Sequence, residues 1–295
     1  MYSQVTSNKR KTWFFISFFL VFIIALGFLF SRVYPEFSFV LPLAVVLAVG
    51  GSWFSYYHSD KVVLRISGAK KVLKDDNPYL FRIVENLSIT AGLPVPRIYV
   101  IESEALNAFA TGRDPEHAVV AVTRGLLERL ENEELEGVIA HELAHVKNYD
   151  IRLATILVTL VGVVALMSDF FLRFTWFGGR GRDREGGQLQ IILMIAAIVL
   201  AVLAPFGALL IQLAVSRKRE FLADAEASLL TRYPEGLALA LEKISRDKNP
   251  LKTANNATAH LFISNPFKKK RFLGKLFSTH PLIEDRVKAL RKEGV

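Results

Sequence analysis

Residues Trp13 to Phe30 form a stretch of eighteen positions without a charge, and a chain that carries such a run has few ways to fold. At 1.5 Å per residue, a helix over it is about 27 Å long, enough to cross a bilayer. Hydrocarbon offers no water to backbone polar groups, so the run has to be helical there. Lys9-Arg10-Lys11 precedes it, and Ser31-Arg32-Val33-Tyr34-Pro35 follows where a signal peptide would carry a small-residue cleavage site. It reads as an uncleaved anchor. Phe37 to Tyr57 is a second run, ending in Trp53, Tyr56 and Tyr57, which suit the headgroup level. Two more runs cover 151–172 and 189–215, with the Gly- and Arg-rich stretch 173–188 between them as a polar loop.

The expectation is four transmembrane helices, about 13–30, 37–57, 151–172 and 189–215, arranged as two hairpins (1–57 and 151–215) that alternate with polar segments 58–150 and 216–295. Lys61, Arg65, Lys70, Lys71 and Lys74 follow the second span, and Arg217, Lys218 and Arg219 follow the fourth. By the positive-inside rule both polar segments and both termini face the cytoplasm. Arg173, Arg180, Arg182 and Arg184 run against that bias, so a tilted or shallow second hairpin stays open, and Asp169 belongs at its interface, with a membrane-buried ionisable role as the alternative. The net charge of +9 sits beside apolar segments, which points to anionic lipid and excludes nucleic acid as the partner. The absence of cysteine excludes disulfides, thiolate metal sites and Cys nucleophiles.

The polar segments read as an α+β domain. Asn77-Pro78 starts a helix that Gly92 and Pro94 end, with Leu80, Ile83, Val84 and Leu87 on one face. Arg97–Ile101 and Ala118–Val122 read as short strands, with Asn107–Gly112 between them as a third strand or edge segment, giving a small mixed sheet. Thr123 caps a short helix and Asn132 the next, whose positive end carries Glu133, Glu134 and Glu136. Pro234 opens a core helix with Leu237, Leu241 and Ile244. Lys268-Lys269-Lys270-Arg271, among Phe262, Phe267, Phe272, Leu276 and Phe277, suits anionic headgroups or a plain solvated face equally.

The helix expected after Asn132 contains His141-Glu142-Leu143-Ala144-His145. Residues four apart on a helix share a face, so His141 and His145 can grip one metal ion, and Glu142 beside it can take a proton from an activated water. A catalytic zinc usually has a third protein ligand. His145 stands six residues before the third apolar run and Glu220 five after the fourth, so a membrane hairpin returns Glu220 to the same surface. Asp224, one turn on, is placed to accept the outer N–H of a ligating His. Zinc suits two imidazoles, a carboxylate and an open position, although ligand type alone leaves cobalt or manganese open. Glu131, Glu133, Glu134, Glu136, Lys147 and Asp150 flank the motif, which argues against a protease site inside a span. Glu142 argues against a scaffold or transporter with a structural metal.

The combination of H-E-L-A-H, E-F-L-A-D from Glu220, N-A-F-A-T-G from Asn107 and Ser278-Thr279-His280-Pro281 resembles the HtpX family of membrane zinc metalloproteases, which are related to the CAAX prenyl endoproteases. The resemblance implies a zincin-like gluzincin catalytic domain at the cytoplasmic face of the bacterial inner membrane, cleavage of damaged or misfolded membrane proteins and unfolded polypeptides, and self-cleavage. It further implies that Asn107, Ala108, Phe109, Ala110, Thr111 and Gly112 form the edge strand for an extended substrate, with an ordinary hairpin as the alternative. His280 would stabilise the oxyanion, with Arg286 nearby. His58, His117 and His260 have no such support, and the oligomeric state is left open.

Overall fold

The computed structural model describes residues 2–33, 39–162, 217–254, 258–267 and 281–293. The fold is mainly helical α+β. Helix α1 (Tyr2–Val33) and helix α2 (Val40–Ser67) come first, then strand β1 (Ala69–Lys71), helix α3 (Pro78–Ala91), and strands β2 (Arg97–Ile101), β3 (Ala108–Thr111) and β4 (Val119–Thr123). Helices α4 (Arg124–Arg129) and α5 (Asn132–Lys147) follow, then a helical stretch α6 over 150–162. Beyond 163–216 come α7 (Arg217–Thr231), α8 (Pro234–Arg246) and α9 (Ile283–Glu293).

The sheet order is β1-β2-β4-β3, with β2 and β4 parallel and the other two pairings antiparallel. Alternation along the strands feeds two cores. Val120, Val122, Ala108 and Ala110 face a large core built by α3, α5 and α8, while Val119, Ala121 and Phe109 face a smaller one with Val63, Leu64 and Phe262. The helices and strands expected within 77–147 and after Pro234 are present, with β4 one residue later than expected and β1 in addition; the cap of α5 is Glu131, in a reciprocal capping box with Glu134, and Asn132 is already helical. At Asn77 the side chain accepts the Leu80 N–H at 3.0 Å, as a capping residue should. Helices α5 and α8 meet almost backbone to backbone, which Gly137 permits: a Cβ there would stand 2.7 Å from the Leu237 nitrogen.

Helices α1 and α2 lie antiparallel, with Trp13 stacked on Tyr56 and Ile23 packed in one cluster with Ala44. Ile156 and Leu160 of α6 join that cluster, so the start of the third apolar run is docked on the first hairpin. Among the described residues, no helix is long and apolar enough to cross a membrane. The side chains of Leu26, Leu29, Phe30 and Val40, inside the first two expected spans, lie outside that count, as do residues 163–216 with most of the third span and the whole fourth. His280 and the basic run 268–271 also lie outside the described residues. Phe262, read above with the headgroup aromatics, is instead buried edge-on against Phe109, 5.1 Å between centroids.

Candidate metal centre

One turn of α5 and one turn of α7 face each other across a buried cluster. Helical spacing brings the His141 and His145 rings together, with Nε2 atoms 3.2 Å apart. Glu220, in the first turn of α7, reaches both: Oε1 is 3.6 Å from His145 Nε2 and Oε2 is 3.9 Å from His141 Nε2. For a tetrahedral ion with bonds of about 2.0–2.2 Å, ligand atoms stand about 3.3–3.6 Å apart. The three side chains could hold a metal ion, since their ligand atoms lie within 4.8 Å of one another.

Both histidines turn their other nitrogen to a carboxylate. His141 Nδ1 lies 2.9 Å from Asp224 Oδ1, the contact expected from the sequence, and His145 Nδ1 lies 2.9 Å from Asp150 Oδ2, which was not expected. Such contacts fix the tautomer and aim Nε2 at the ion. Arg286, fully buried on α9, grips Asp224 through Nε and Nη2 at 2.8 and 2.6 Å and stands 3.6 Å from Glu220. Arg219 bonds Asp150 at 3.0 Å. Four buried carboxylates (Glu142, Asp150, Glu220, Asp224) thus meet two guanidiniums (Arg219, Arg286), so once the carboxylates and both imidazoles have given up their protons, as metal ligation requires, the cluster would carry two surplus negative charges. That surplus is the charge a dication neutralises.

The same field separates the protonation behaviour of the two rings. Burial, and then the charge of Arg286, push His141 down to about 4. Burial works against charging His145 as well, but the Asp150 hydrogen bond and the Glu220 charge outweigh it and raise the ring to about 9. Glu142 is pushed up to about 7, chiefly by burial, while the charge on His145 and the Ala110 N–H pull it down. A carboxyl poised near neutrality is a competent proton acceptor and donor.

A third layer reaches the site from α1. Asn8, 1% exposed, donates from Nδ2 to Asp150 Oδ1 at 2.6 Å and to the Asn148 carbonyl at 2.9 Å. The turn that brings Asp150 back under His145 runs through Tyr149, whose φ of 60° is left-handed. Lys9 and Arg152 sit over the Tyr149 ring, at 4.3 and 4.8 Å. Asn107 to Gly112 span strand β3 and the residue on either side of it. Asn107 is buried at the start of β3, Phe109 packs away from the metal cluster, and Thr111 meets Thr155 of α6 at 3.0 Å. Ala110 borders the cavity that His141, Glu142, His145 and Glu220 line, and Gly112 takes a φ of 138°. Sequence reasoning missed Asn8, Asp150 and Arg219. The signal available for Asp150 was its polarity, five residues past His145.

Comparison with known proteins agrees with this geometry. The family model for peptidase family M48 matches residues 74–294. A Protease HtpX homolog of Dictyoglomus turgidum (strain DSM 6724 / Z-1310) is 45% identical over 295 residues, covering 99% of this chain and 95% of that one. One from Tropheryma whipplei (strain Twist) is 46% identical, covering 100% of this chain and 99% of that one. The crystal structure of S. mikatae Ste24p shares the fold, with a TM-score of 0.51 at 19% identity, over 98% of this chain and 67% of that one. Identity sustained from end to end, together with a family match that spans both halves of the metal cluster, makes this chain a metalloprotease of peptidase family M48, in its HtpX branch.

Proposed function

We propose that the chain is a membrane-embedded zinc endopeptidase that cleaves misfolded or damaged membrane proteins and unfolded polypeptides. The observation that carries this is the convergence of His141, His145 and Glu220 beside Glu142, with each imidazole tied to a carboxylate. His141, His145 and Glu220 would hold the ion. When bound, zinc supplies Lewis acidity toward a peptide carbonyl and makes water more acidic. The remaining work belongs to side chains. Glu142 accepts the proton of the attacking water and returns it to the leaving amine. Asp224 and Asp150 hold the rings in register, and Arg286, bonded to Asp224 and 3.6 Å from Glu220, holds the Asp224 carboxyl below its ordinary range. His280 is assigned the oxyanion by family resemblance.

The membrane part of the reading rests on the four apolar runs and on the outside of the α1–α2 hairpin, where Trp13, Phe14, Phe18, Val21, Val46 and Trp53 are exposed together. In this reading 1–57 and 151–215 are the two membrane hairpins, and 58–150 with 216–295 form the catalytic domain on the cytoplasmic face of the bacterial inner membrane. The metal cluster then sits where α6 enters the bilayer, within reach of chains leaving it. The test is Glu142→Gln in protein purified with detergent and zinc. Metal content is expected to stay at one per chain while fluorescein-casein cleavage falls by about 10²–10⁴-fold. Cleavage at the wild-type rate in that variant refutes the mechanism.

A further inference from the structure

Strand β3 is an edge strand, bonded to β4 on one side only, and its other side borders the metal cavity. That outer side is nevertheless engaged. The Ala108 carbonyl accepts the Ile263 N–H at 3.0 Å, the Asn107 side-chain amide donates to the Ser264 carbonyl at 3.1 Å, and Ser264 N–H points back to Asn107 Oδ1 at 3.4 Å. Ile263 lies beside Ala108 and Ser264 beside the Asn107 side chain, so the segment passes along the outer side of β3 in the opposite sense. Phe262 packs on Phe109, and the Arg286 guanidinium donates to the Ile263 carbonyl at 3.3 Å. Phe262 and Ile263 line the same cavity as His141, Glu142, His145 and Glu220.

A peptide whose scissile carbonyl is to lie between Glu142 and the metal ligands has to be extended, and the backbone groups open to it are those of β3. On the outer side the Ala110 N–H is directed at the Glu142 carboxyl and the Ala110 carbonyl faces the same way, while further along the strand the Ala108 carbonyl and the Asn107 amide are the groups that the segment 262–264 holds. A peptide that extends along β3 from Ala110 to Ala108 therefore meets a segment of the same chain already holding those groups. We infer that Phe262-Ile263-Ser264 occupies the strand position of the substrate, so that the site is covered at rest by an internal strap and opens when an incoming peptide displaces it. The inference rests on the proteolytic reading above. It also specifies what the edge accepts: an extended peptide with an aromatic residue, then a branched aliphatic one, then a small one. The strap is tied at its far end, where the Leu251 N–H bonds the Pro266 carbonyl at 2.9 Å.

The chain has no cysteine, so a disulfide between Ala108→Cys and Ile263→Cys can be formed without competitors. The bond from the Ile263 N–H to the Ala108 carbonyl at 3.0 Å sets the two residues side by side, and a disulfide needs Cα atoms about 4.4–6.8 Å apart. With the disulfide verified by intact mass, the oxidised protein is expected to lose fluorescein-casein cleavage and to regain it on reduction with a phosphine. Equal cleavage by the oxidised and reduced forms overturns the strap. A second readout needs neither a variant nor turnover: hydrogen exchange of the unaltered zinc-loaded protein in detergent, with and without acetyl-Phe-Ile-hydroxamate. Exchange at the Ile263 and Ser264 amides is expected to rise when the probe binds, and unchanged or slower exchange overturns the strap. If no form cleaves casein while the probe still exposes those amides, the protease reading fails and the strap stands.

Discussion

Asn8→Ala is expected to weaken metal binding from the far end of the chain. The side chain is buried and makes two donor contacts, one to the ionised Asp150 at 2.6 Å and one to the Asn148 carbonyl at 2.9 Å. A hydrogen bond to a charged group is worth about 1.5–3 kcal/mol and a neutral one about 0.5–1.5, so the local loss is about 2–4.5 kcal/mol. Asp150 keeps Arg219 at 3.0 Å and His145 at 2.9 Å, so only part of that loss reaches the ring. Loss of the direct partner of a metal-bound His costs about 10–100-fold in affinity. Asn8 acts one bond further out, so about tenfold, or ~1.4 kcal/mol, is expected. Competition with a chromophoric zinc chelator measures it. In the Asp150→Asn background the same substitution should cost almost nothing, because the link it supports is already weakened. Affinity within twofold of wild type, or losses that simply add, refutes the chain Asn8–Asp150–His145.

Arg286→Met removes the only guanidinium bonded to Asp224 among the described residues, and breaking a buried pair in this way costs about 3–5 kcal/mol. Thermal unfolding should show a larger drop in chelator than in zinc, since a bound dication takes over part of the compensation. Gly137→Ala drives a Cβ against the Leu237 backbone and is expected to destabilise by about 1–3 kcal/mol, read in the same melt. Chelation of the native protein should abolish casein cleavage and lower the melting midpoint, with both restored by zinc; unchanged cleavage in chelator would count against a metal mechanism.

Much of the site is legible in the residue order because helices impose a period. His141 and His145 meet by spacing alone, and Glu220 follows from the idea that a hairpin returns to its origin. Asp224 was found in the same way, one turn beyond Glu220. Asp150 was not, because its approach to His145 depends on a left-handed Tyr149, a conformation no local pattern announces in a residue with a large side chain. Asn8 is hidden for a different reason. Its contact spans 142 positions, and in sequence it is one polar residue before a basic cluster. The sheet was visible as strands, while the strap over β3 was not, since Phe262 and Ile263 read as one more apolar pair beside a charge run. The cap of α5 moved by one residue because Glu131 and Glu134 form a reciprocal pair that outcompetes the usual preference for Asn.

The split of the cluster across 75 residues of chain also sets an order of events at birth. At about 5–20 residues per second, Glu220 leaves the ribosome some 4–15 s after His145. Throughout that interval the newborn chain carries two rings and a base but only part of the coordinating shell. A protease assembled in this order lacks its full coordinating shell during its own synthesis, and gains the means to cut only after the stretch between the two halves has been made.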